Sequence, residues 1–291
     1  MQAAAGRFTI PVRGASLDSS EFPSEASPGV TPPPSDNSNG SPGPLARGAY
    51  LLPNALTTAA LMAGFYAIIA GVQGQIVPAC VAVVIAGVLD GLDGRVARLT
   101  GTQSEFGVQY DSLSDLISFG LAPSLLVWSW SLSTLQLSGP LGEKLGWLVA
   151  FFYTACGALR LARFNSQAGV ADKRFFQGLA SPAAAGTLVS TIWFLESRGI
   201  EAESVAWPML VLTVMLGTLM VSRVRYASFK GGAAREKRVP IAWIFLLLVL
   251  IVLLAIDVPA VLFTIGVLYV ASGIALTLHG RYQQRKRRLR R

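Results

Sequence analysis

Four aspartates stand at helical spacing in a largely apolar stretch of the sequence. Asp90 and Asp93 are three residues apart, so both fall on one face of a helix. Asp111 and Asp115 are four residues apart, and the same holds for them. A charged side chain inside a membrane segment costs about 2.5–3.5 kcal/mol on insertion scales, and such residues usually serve a function. The pattern therefore indicates a functional site.

The chemistry of the four carboxylates indicates a metal site. Carboxylates brought together repel one another, and hard divalent cations that prefer oxygen ligands would neutralise them. No histidine or cysteine lies nearby, so zinc is disfavoured and Mg²⁺ or Mn²⁺ fits better. Two such ions would balance four carboxylates and could clamp a pyrophosphate during an in-line displacement. The nearby Gly91, Gly94 and Gly107 would let a backbone or ligand approach closely.

Two other interpretations of the aspartates stay open at this point. Asp is a good helix cap, which explains one acid at a helix start but not two pairs at helical spacing. A proton or cation transport site also places acids in membrane helices, although such acids tend to lie nearer the bilayer midplane and on several helices. The residues favour metal-dependent phosphoryl-group chemistry at the membrane surface.

The elements that position these acids are predicted to be membrane helices. Of the 291 residues, 52% are hydrophobic and 14% are charged, against roughly 25% charged in soluble domains. A spanning helix needs about 20 mostly apolar residues, and the apolar runs lack the two-residue alternation of a barrel strand. We therefore predict an all-α fold, a polytopic membrane helical bundle with about eight transmembrane helices. The predicted spans lie near residues 51–72, 75–98, 106–130, 145–166, 181–197, 205–224, 240–256 and 258–278.

The charge distribution predicts how the bundle is oriented. The net charge is +8, and most basic residues fall in alternate loops and at the C-terminus. The opposite side holds only Lys144 and Arg198. The positive-inside rule then places both termini on the cytoplasmic side of the cell membrane. Because the link 99–105 is short, the second and third spans would form an antiparallel pair whose acidic faces meet near the cytoplasmic surface.

The ends of the chain differ from the apolar region, so the sequence predicts three parts. Residues 1–46 are rich in Pro, Ser, Gly and Asn, and we predict a disordered tail without the apolar stretch of a signal peptide. Residues 47–280 form the membrane domain. Residues 281–291 read RYQQRKRRLRR, and we predict a basic cytoplasmic tail that contacts anionic membrane lipids rather than nucleic acid.

The acidic segment resembles the CDP-alcohol phosphatidyltransferase family. That family's pattern is D-x2-D-G-x2-A-R-x8-G-x3-D-x3-D, and every spacing is matched here. The resemblance covers roughly residues 50–280. It implies a helical membrane fold with a six-helix catalytic core that is often dimeric, so a homodimer is an expectation. The pattern is filled by Asp90, Asp93, Gly94, Ala97, Arg98, Gly107, Asp111 and Asp115.

The resemblance also implies a role for each residue of the pattern. The four aspartates would bind two divalent metal ions, which hold the pyrophosphate of a CDP-linked lipid. Asp115 would in addition be the general base that acts on the acceptor hydroxyl. The nucleotide site would be lined by Gly94, Ala97, Arg98 and Gly107.

Three further segments resemble members of the family that use L-serine as the acceptor. They are DSLSDLISFGLAPSLL at 111–126, ALRLARFN at 158–165 and FQGLASPAAAG at 176–186. In the last of these, Ala180 stands where such members usually have proline. The substrates implied are CDP-diacylglycerol and L-serine, and the products are phosphatidylserine and CMP.

Basic residues in the second of these segments could bind the acceptor. Arg160 and Arg163 could pair with the serine carboxylate, because guanidinium suits bidentate contact, and Asn165 could add a hydrogen bond. The alternative is that the arginines only anchor their helix at the interface. Glycerol phosphate or inositol phosphate acceptors would also need basic residues, so charge alone leaves the acceptor open.

The motif PNALT at 53–57 also resembles the family. Asn54 and Thr57 are three residues apart, so both are predicted to face the nucleotide. A helix-capping role for this motif is the alternative.

Overall fold

The computed structural model describes residues 44–101, 104–166, 176–222, 224–226 and 241–288. Most of the predicted disordered tail and most of the basic residues of the loops near 170 and 230 lie outside these ranges. The described part is a bundle of helices, which confirms the predicted fold class.

Nine α-helices make up most of the described residues. A π-helical segment, Leu116–Leu121, joins the third and fourth of them into one continuous span, and a 3₁₀ segment, Leu132–Ser138, follows. The predicted spans therefore coincide with eight helical segments of the described chain. The helices are α1 Pro44–Val72, α2 Ile76–Thr100, α3 Glu105–Asp115, α4 Ala122–Trp130, α5 Pro140–Ser166, α6 Ser181–Ser197, α7 Ala206–Val221, α8 Ile241–Ile256 and α9 Val258–Arg288.

Five of these segments in the described residues are long and apolar enough to cross a membrane. The other three, α6, α7 and α8, have 17, 16 and 16 residues. The five are Leu52–Val72, Ile76–Thr100, Glu105–Trp130, Pro140–Ser166 and Val258–Thr277.

The first and last helices extend beyond the apolar spans that they contain, and these spans, Leu52–Val72 and Val258–Thr277, agree with the predicted 51–72 and 258–278. Helix α1 begins at Pro44, ahead of the predicted start at 51, and therefore includes the last residues of the predicted tail. Helix α9 continues to Arg288, so most of the predicted basic tail extends the last helix.

The centre of the bundle is α6, which packs against α2, α4, α7 and α9. Its residues Ala184, Ala185, Leu188, Val189 and Ile192 are completely buried. The small side chains among them, Ala184 and Ala185, let neighbouring helix backbones approach closely, and such packing is a main source of helix association in lipid.

Two short strands were not predicted. Strand β1, Phe176–Gln177, pairs antiparallel with β2, Arg225–Tyr226. The pairing continues in two hydrogen bonds, one from Gly178 N to Val224 O at 2.9 Å and one from Leu179 N to Leu219 O at 3.0 Å. The start of α6 is thereby fixed to the end of α7. Two-residue strands have no periodicity to read, so the sequence carried no signal for them.

Helix α1 packs against the third span, Glu105–Trp130, through contacts between small residues. A Cβ on Gly64 would lie 2.8 Å from Ser118 Cα, so glycine is required for this approach. Ser118 and Ser114 also donate hydrogen bonds to carbonyl oxygens of α1, at Ala60 and Thr57, each at 3.3 Å. These contacts hold the acidic face of α3 against the start of α1.

Candidate metal centre and active site

Three of the four predicted metal ligands meet in the structure. Carboxylate oxygens of Asp90, Asp93 and Asp111 all lie within 4.8 Å of one another. The first two come from α2 and the third from α3. Asp93 is buried, with 4% of its surface exposed, and the other two are partly buried. The two helices thus bring their acidic faces together, as the sequence predicts for an antiparallel pair.

Local caps turn the chain between these two helices. Helix α2 ends at Gly101, whose φ of 64° lies in the left-handed region that favours glycine. Helix α3 begins after Ser104, whose hydroxyl accepts a hydrogen bond from Gly107 N at 3.0 Å. The capping interpretation of the acids is therefore not needed at this turn, because a glycine and a serine serve as the caps.

Thr57 of α1 holds Asp93 in place. Its hydroxyl donates a hydrogen bond to Asp93 Oδ2 at 2.7 Å, and both side chains are buried. Thr57 was predicted to face the nucleotide, and its contact with a nucleotide stays a prediction. Its contact in the structure is with a carboxylate of the cluster.

The cluster has the donor set that a hard divalent cation requires. Asp111 Oδ1 is buried and has no hydrogen-bond partner among the described residues. A buried oxygen of this kind is costly unless it is paired. The three residues offer only carboxylate oxygens, which suits Mg²⁺ or Mn²⁺. The residues present therefore fit such an ion.

Asp115 lies beside the cluster rather than within it. It is outside the group whose oxygens all lie within 4.8 Å, but it neighbours Asp90 within hydrogen-bonding reach. It is the last residue of α3, immediately before the π-helical segment Leu116–Leu121. Single π-helical turns are frequent at functional sites, where they change the direction of side chains.

The predicted acceptor residues line α5 next to Asp115. Arg160 interacts electrostatically with Asp115, and its Nη1 donates to Ser181 Oγ at 2.8 Å. Arg160 Nε is buried without a hydrogen-bond partner in the described part of the chain. Arg163 is partly buried one turn further along the same helix. Asn165 Nδ2 donates to Ser112 Oγ at 3.0 Å, beside the metal-cluster helix face.

The predicted nucleotide residues form an accessible surface next to the cluster. Gly94 and Arg98 are exposed and Ala97 is partly buried, all on the last turns of α2. Apart from the local backbone of α2, no atom of the described residues lies within 4 Å of a Cβ placed on Gly94, so there is open space beside it. A Cβ on Gly107 would lie 3.5 Å from Asn54 Oδ1, so α1 and α3 approach closely there.

Several residues of this region were missed in the sequence. Ser112 and Ser181 form hydrogen bonds with two predicted acceptor residues, Asn165 and Arg160. Serines in membrane helices are common, so their spacing carried little signal.

The fold and site define a membrane-embedded helical protein with a carboxylate cluster between its second and third spans. A family model for CDP-alcohol phosphatidyltransferase matches residues 50–219. This match covers more than half of the chain and includes all four aspartates. The chain belongs to the CDP-alcohol phosphatidyltransferase family, a family of transferases in phospholipid biosynthesis, and the resemblance found in the sequence is confirmed.

Similar curated proteins agree with this family. A Helicobacter pylori protein named CDP-diacylglycerol–serine O-phosphatidyltransferase is 38% identical over 202 residues, which cover 69% of this chain and 82% of that protein. A Methanocaldococcus jannaschii protein of the same name is 32% identical, covering 66% of this chain and 81% of its own length. An archaetidylserine synthase of Methanothermobacter thermautotrophicus is 35% identical, with 63% and 72% covered.

Proposed function

We propose that this phosphatidyltransferase uses CDP-diacylglycerol and L-serine and produces phosphatidylserine and CMP. The observation that carries the proposal is the cluster of Asp90, Asp93 and Asp111, whose carboxylate oxygens all lie within 4.8 Å of one another. The names of the relatives from Helicobacter pylori and Methanocaldococcus jannaschii support serine as the acceptor.

In this proposal the four aspartates hold two divalent ions, Mg²⁺ or Mn²⁺. The unpartnered Asp111 Oδ1 and the mutual approach of three carboxylates support such a role. When bound, the ions neutralise pyrophosphate charge and the charge that develops on the leaving group. Thr57 fixes the orientation of Asp93 by its 2.7 Å hydrogen bond, as outer residues of metal sites generally do.

Asp115 is proposed as the general base. It takes the proton of the serine hydroxyl, whose oxygen attacks the phosphorus that carries diacylglycerol. The bond from that phosphorus to the bridging pyrophosphate oxygen breaks, and CMP leaves with this oxygen. The electrostatic interaction of Asp115 with both Asp90 and Arg160 supports the role, because a general base must lie near the metal ligands and near the acceptor.

The acceptor is proposed to bind along the end of α5. Arg160 and Arg163 would pair with the serine carboxylate, and Asn165 would add a hydrogen bond. The buried, unpartnered Arg160 Nε supports this, since a ligand oxygen would satisfy it. Asn165 contacts Ser112, which lies next to Asp111 in the chain and keeps the amide close to the cluster.

The nucleotide is proposed to bind along the accessible end of α2. Gly94, Ala97 and Arg98 lie within about one turn of one another, so they share a helix face. The open space beside Gly94 leaves room for the cytidine. Gly107 and Asn54 would close the opposite side, where α1 and α3 approach each other.

The protein is proposed to reside in the cytoplasmic membrane with both termini and the active site facing the cytoplasm. The basic excess in alternate loops supports this orientation. In it, residues 47–280 form the membrane domain, and the basic residues 281–291 contact anionic lipids of the cytoplasmic leaflet.

The experiment that tests the proposal measures CMP release by the purified protein. CDP-diacylglycerol and Mn²⁺ or Mg²⁺ are supplied with L-serine, glycerol 3-phosphate or inositol phosphate, and the lipid product is identified by chromatography. Chelation of the metal by EDTA provides the metal-free control. We expect metal-dependent CMP release with serine alone, accompanied by phosphatidylserine. Release with another acceptor instead would contradict the serine assignment and leave the family assignment intact.

A further inference from the structure

The π-helical segment Leu116–Leu121 follows Asp115 directly, so its geometry affects where the Asp115 carboxylate points. Its backbone hydrogen bonds are of the π type, as in the bond from Ala122 N to Ile117 O. A π-helical turn contains one more residue than an α-helical turn, and one residue corresponds to a rotation of about 100° around the helix axis. A change from π to α register in this span would therefore rotate the acidic face of α3 relative to the rest of the bundle.

The sequence removes one hydrogen-bond donor from this part of the third span. In an α-helix the carbonyl oxygen of Phe119 would accept from the backbone N–H of residue 123, and Pro123 has no N–H. Phe119 is buried, with 2% of its surface exposed, and a buried carbonyl group needs a partner. A donor from another helix is therefore favoured at this point.

Helix α5 provides such a donor. The hydroxyl of Tyr153, a completely buried residue, donates to Phe119 O at 3.3 Å. The hydroxyl of the next residue, Thr154, donates to Gly120 O at 3.4 Å. The two backbones come close here, since a Cβ on Gly157 would lie 3.7 Å from Gly120 Cα. Two consecutive side chains of α5 thus bond two consecutive carbonyl groups of the π-helical segment.

The same face of α5 carries an arginine of the proposed acceptor site. Tyr153, Gly157 and Arg160 follow one another at intervals of four and three residues, which places them in one line along the helix. Arg160 therefore lies about two helical turns from the hydroxyl that bonds the π-helical segment. This bond joins the helix of the proposed acceptor residues to the span that carries Asp115.

We propose that Tyr153 is a positioning residue of the reaction: its hydroxyl bonds Phe119 O and holds the π-helical turn that directs Asp115 to the carboxylate cluster and to the acceptor. The inference rests on the proposed role of Asp115 as general base. Tyr153 touches neither substrate in this proposal, because it acts through the backbone of the third span.

The test compares Tyr153→Phe with the wild-type enzyme in the CMP-release assay. Phenylalanine keeps the ring and removes only the hydroxyl. We expect kcat to fall about tenfold, because Asp115 loses part of its alignment. The KM values for CDP-diacylglycerol and the acceptor should stay within about twofold, because the residues proposed to bind them are unchanged. Thr154→Val, which removes the bond to Gly120 O, should also lower kcat.

Ser190→Ala provides the matched control. Ser190 is 1% exposed, and its hydroxyl donates to Thr187 O of its own helix at 3.2 Å. The variant therefore also removes a buried hydroxyl and its hydrogen bond, but this bond lies within one helix. Its kcat and both KM values should stay within about twofold of wild type.

Hydrogen exchange followed by mass spectrometry examines the π-helical segment without requiring activity. Tyr153→Phe should speed up amide exchange at least about threefold in peptides that cover residues 116–124, because a bond that holds this segment is lost. Ser190→Ala should leave exchange in these peptides unchanged.

The acceptor in all assays is the one that the wild type uses, so the kcat comparison is separate from the serine assignment. An unchanged kcat in both Tyr153→Phe and Thr154→Val would overturn the inference. An equal loss of kcat in Ser190→Ala would also contradict it, since this indicates a general packing role. If the wild type releases no CMP with any acceptor, the proposed function fails and this inference fails with it.

Discussion

Acidic side chains occur at both ends of the bundle, and the described residues satisfy those at one end more fully than those at the other. At the end of α6 opposite the site, Glu196 accepts the indole N–H of Trp130 at 2.7 Å, and Asp257 forms an ion pair with Arg198. Asp257 also caps α9, accepting from Ala260 N at 3.0 Å. In the cluster, by contrast, three carboxylates face one another, and Asp111 Oδ1 has no hydrogen-bond partner in the described chain.

The difference shows how structure separates a structural acid from a functional one. The acids at the far end hold elements together, since they join α6 to α4 and to the start of α9. The acids of the cluster repel one another and therefore cost stability unless a ligand neutralises them. Proteins keep such arrangements where function requires them. The predictions below test this contrast between the two ends of the bundle.

The largest effect is expected for Asp115→Asn. The amide cannot take the proton of the acceptor hydroxyl, so kcat for CMP release should fall about 10²- to 10⁴-fold. Glu196→Gln is the matched control, because the amide oxygen still accepts from Trp130. Its activity should stay within about twofold of wild type. Near-normal turnover by Asp115→Asn would contradict the general-base role of Asp115.

A smaller effect is expected for Thr57→Val, which removes the hydrogen bond to Asp93. The Mn²⁺ concentration for half-maximal CMP release should rise about tenfold to a hundredfold, as for other outer residues of metal sites. Thr213→Val is the control, since Thr213 is also buried and its only hydrogen-bond acceptor among the described residues is Met209 O of its own helix. Its Mn²⁺ dependence should not change. Equal shifts of the half-maximal Mn²⁺ concentration in both variants would show that the loss of any buried threonine hydroxyl has this effect.

The two ends should respond with opposite signs when one acid is neutralised. In metal-free protein, Asp111→Asn should raise the apparent unfolding temperature by a few degrees, because one repelling charge is removed. Asp257→Asn should lower it, because Arg198 loses its ion-pair partner. Addition of Mn²⁺ should stabilise the wild type more than Asp111→Asn, since only the folded wild type keeps the full site. Destabilisation of the metal-free protein by Asp111→Asn would contradict the account.

The smallest effect is expected for Arg198→Gln. The ion pair with Asp257 is about half exposed on the arginine side, at 50%. Its loss should cost less than about 1 kcal/mol of stability and leave CMP release unchanged. Thermal unfolding of both proteins at low and high salt measures this. The difference in unfolding temperature between wild type and Arg198→Gln should shrink at high salt. A large loss of CMP release by Arg198→Gln would show that this end of the bundle contributes to the reaction, which would contradict its purely structural role.

Much of the fold could be predicted because membrane insertion leaves a simple pattern. The eight apolar runs became eight helical segments within the described residues, and their bounds differ mainly at the chain ends. The π-helical segment and the two short strands could not be predicted, since neither has a hydrophobic period. Their positions depend on packing between helices that are distant in sequence.

The site residues divide in the same way. The positions of some follow from their spacing in the sequence, and the positions of others depend on contacts between helices that are distant in sequence. The spacing of Asp90, Asp93 and Asp111 is local, and it placed them on facing helices, where the structure brings them together. The partner of Asp93 could not be read in this way, because Thr57 lies on another helix.

Direct measurement of Mn²⁺ binding tests the central claim, that the carboxylate cluster is a divalent-metal site. The purified protein in lipid nanodiscs is titrated with Mn²⁺, and free Mn²⁺ is followed by electron paramagnetic resonance with CDP-diacylglycerol present. The account predicts saturable binding of about two ions per chain. It also predicts that Asp111→Asn weakens this binding and that Asp257→Asn does not. Absence of saturable binding, or equal binding by Asp111→Asn and wild type, would contradict it.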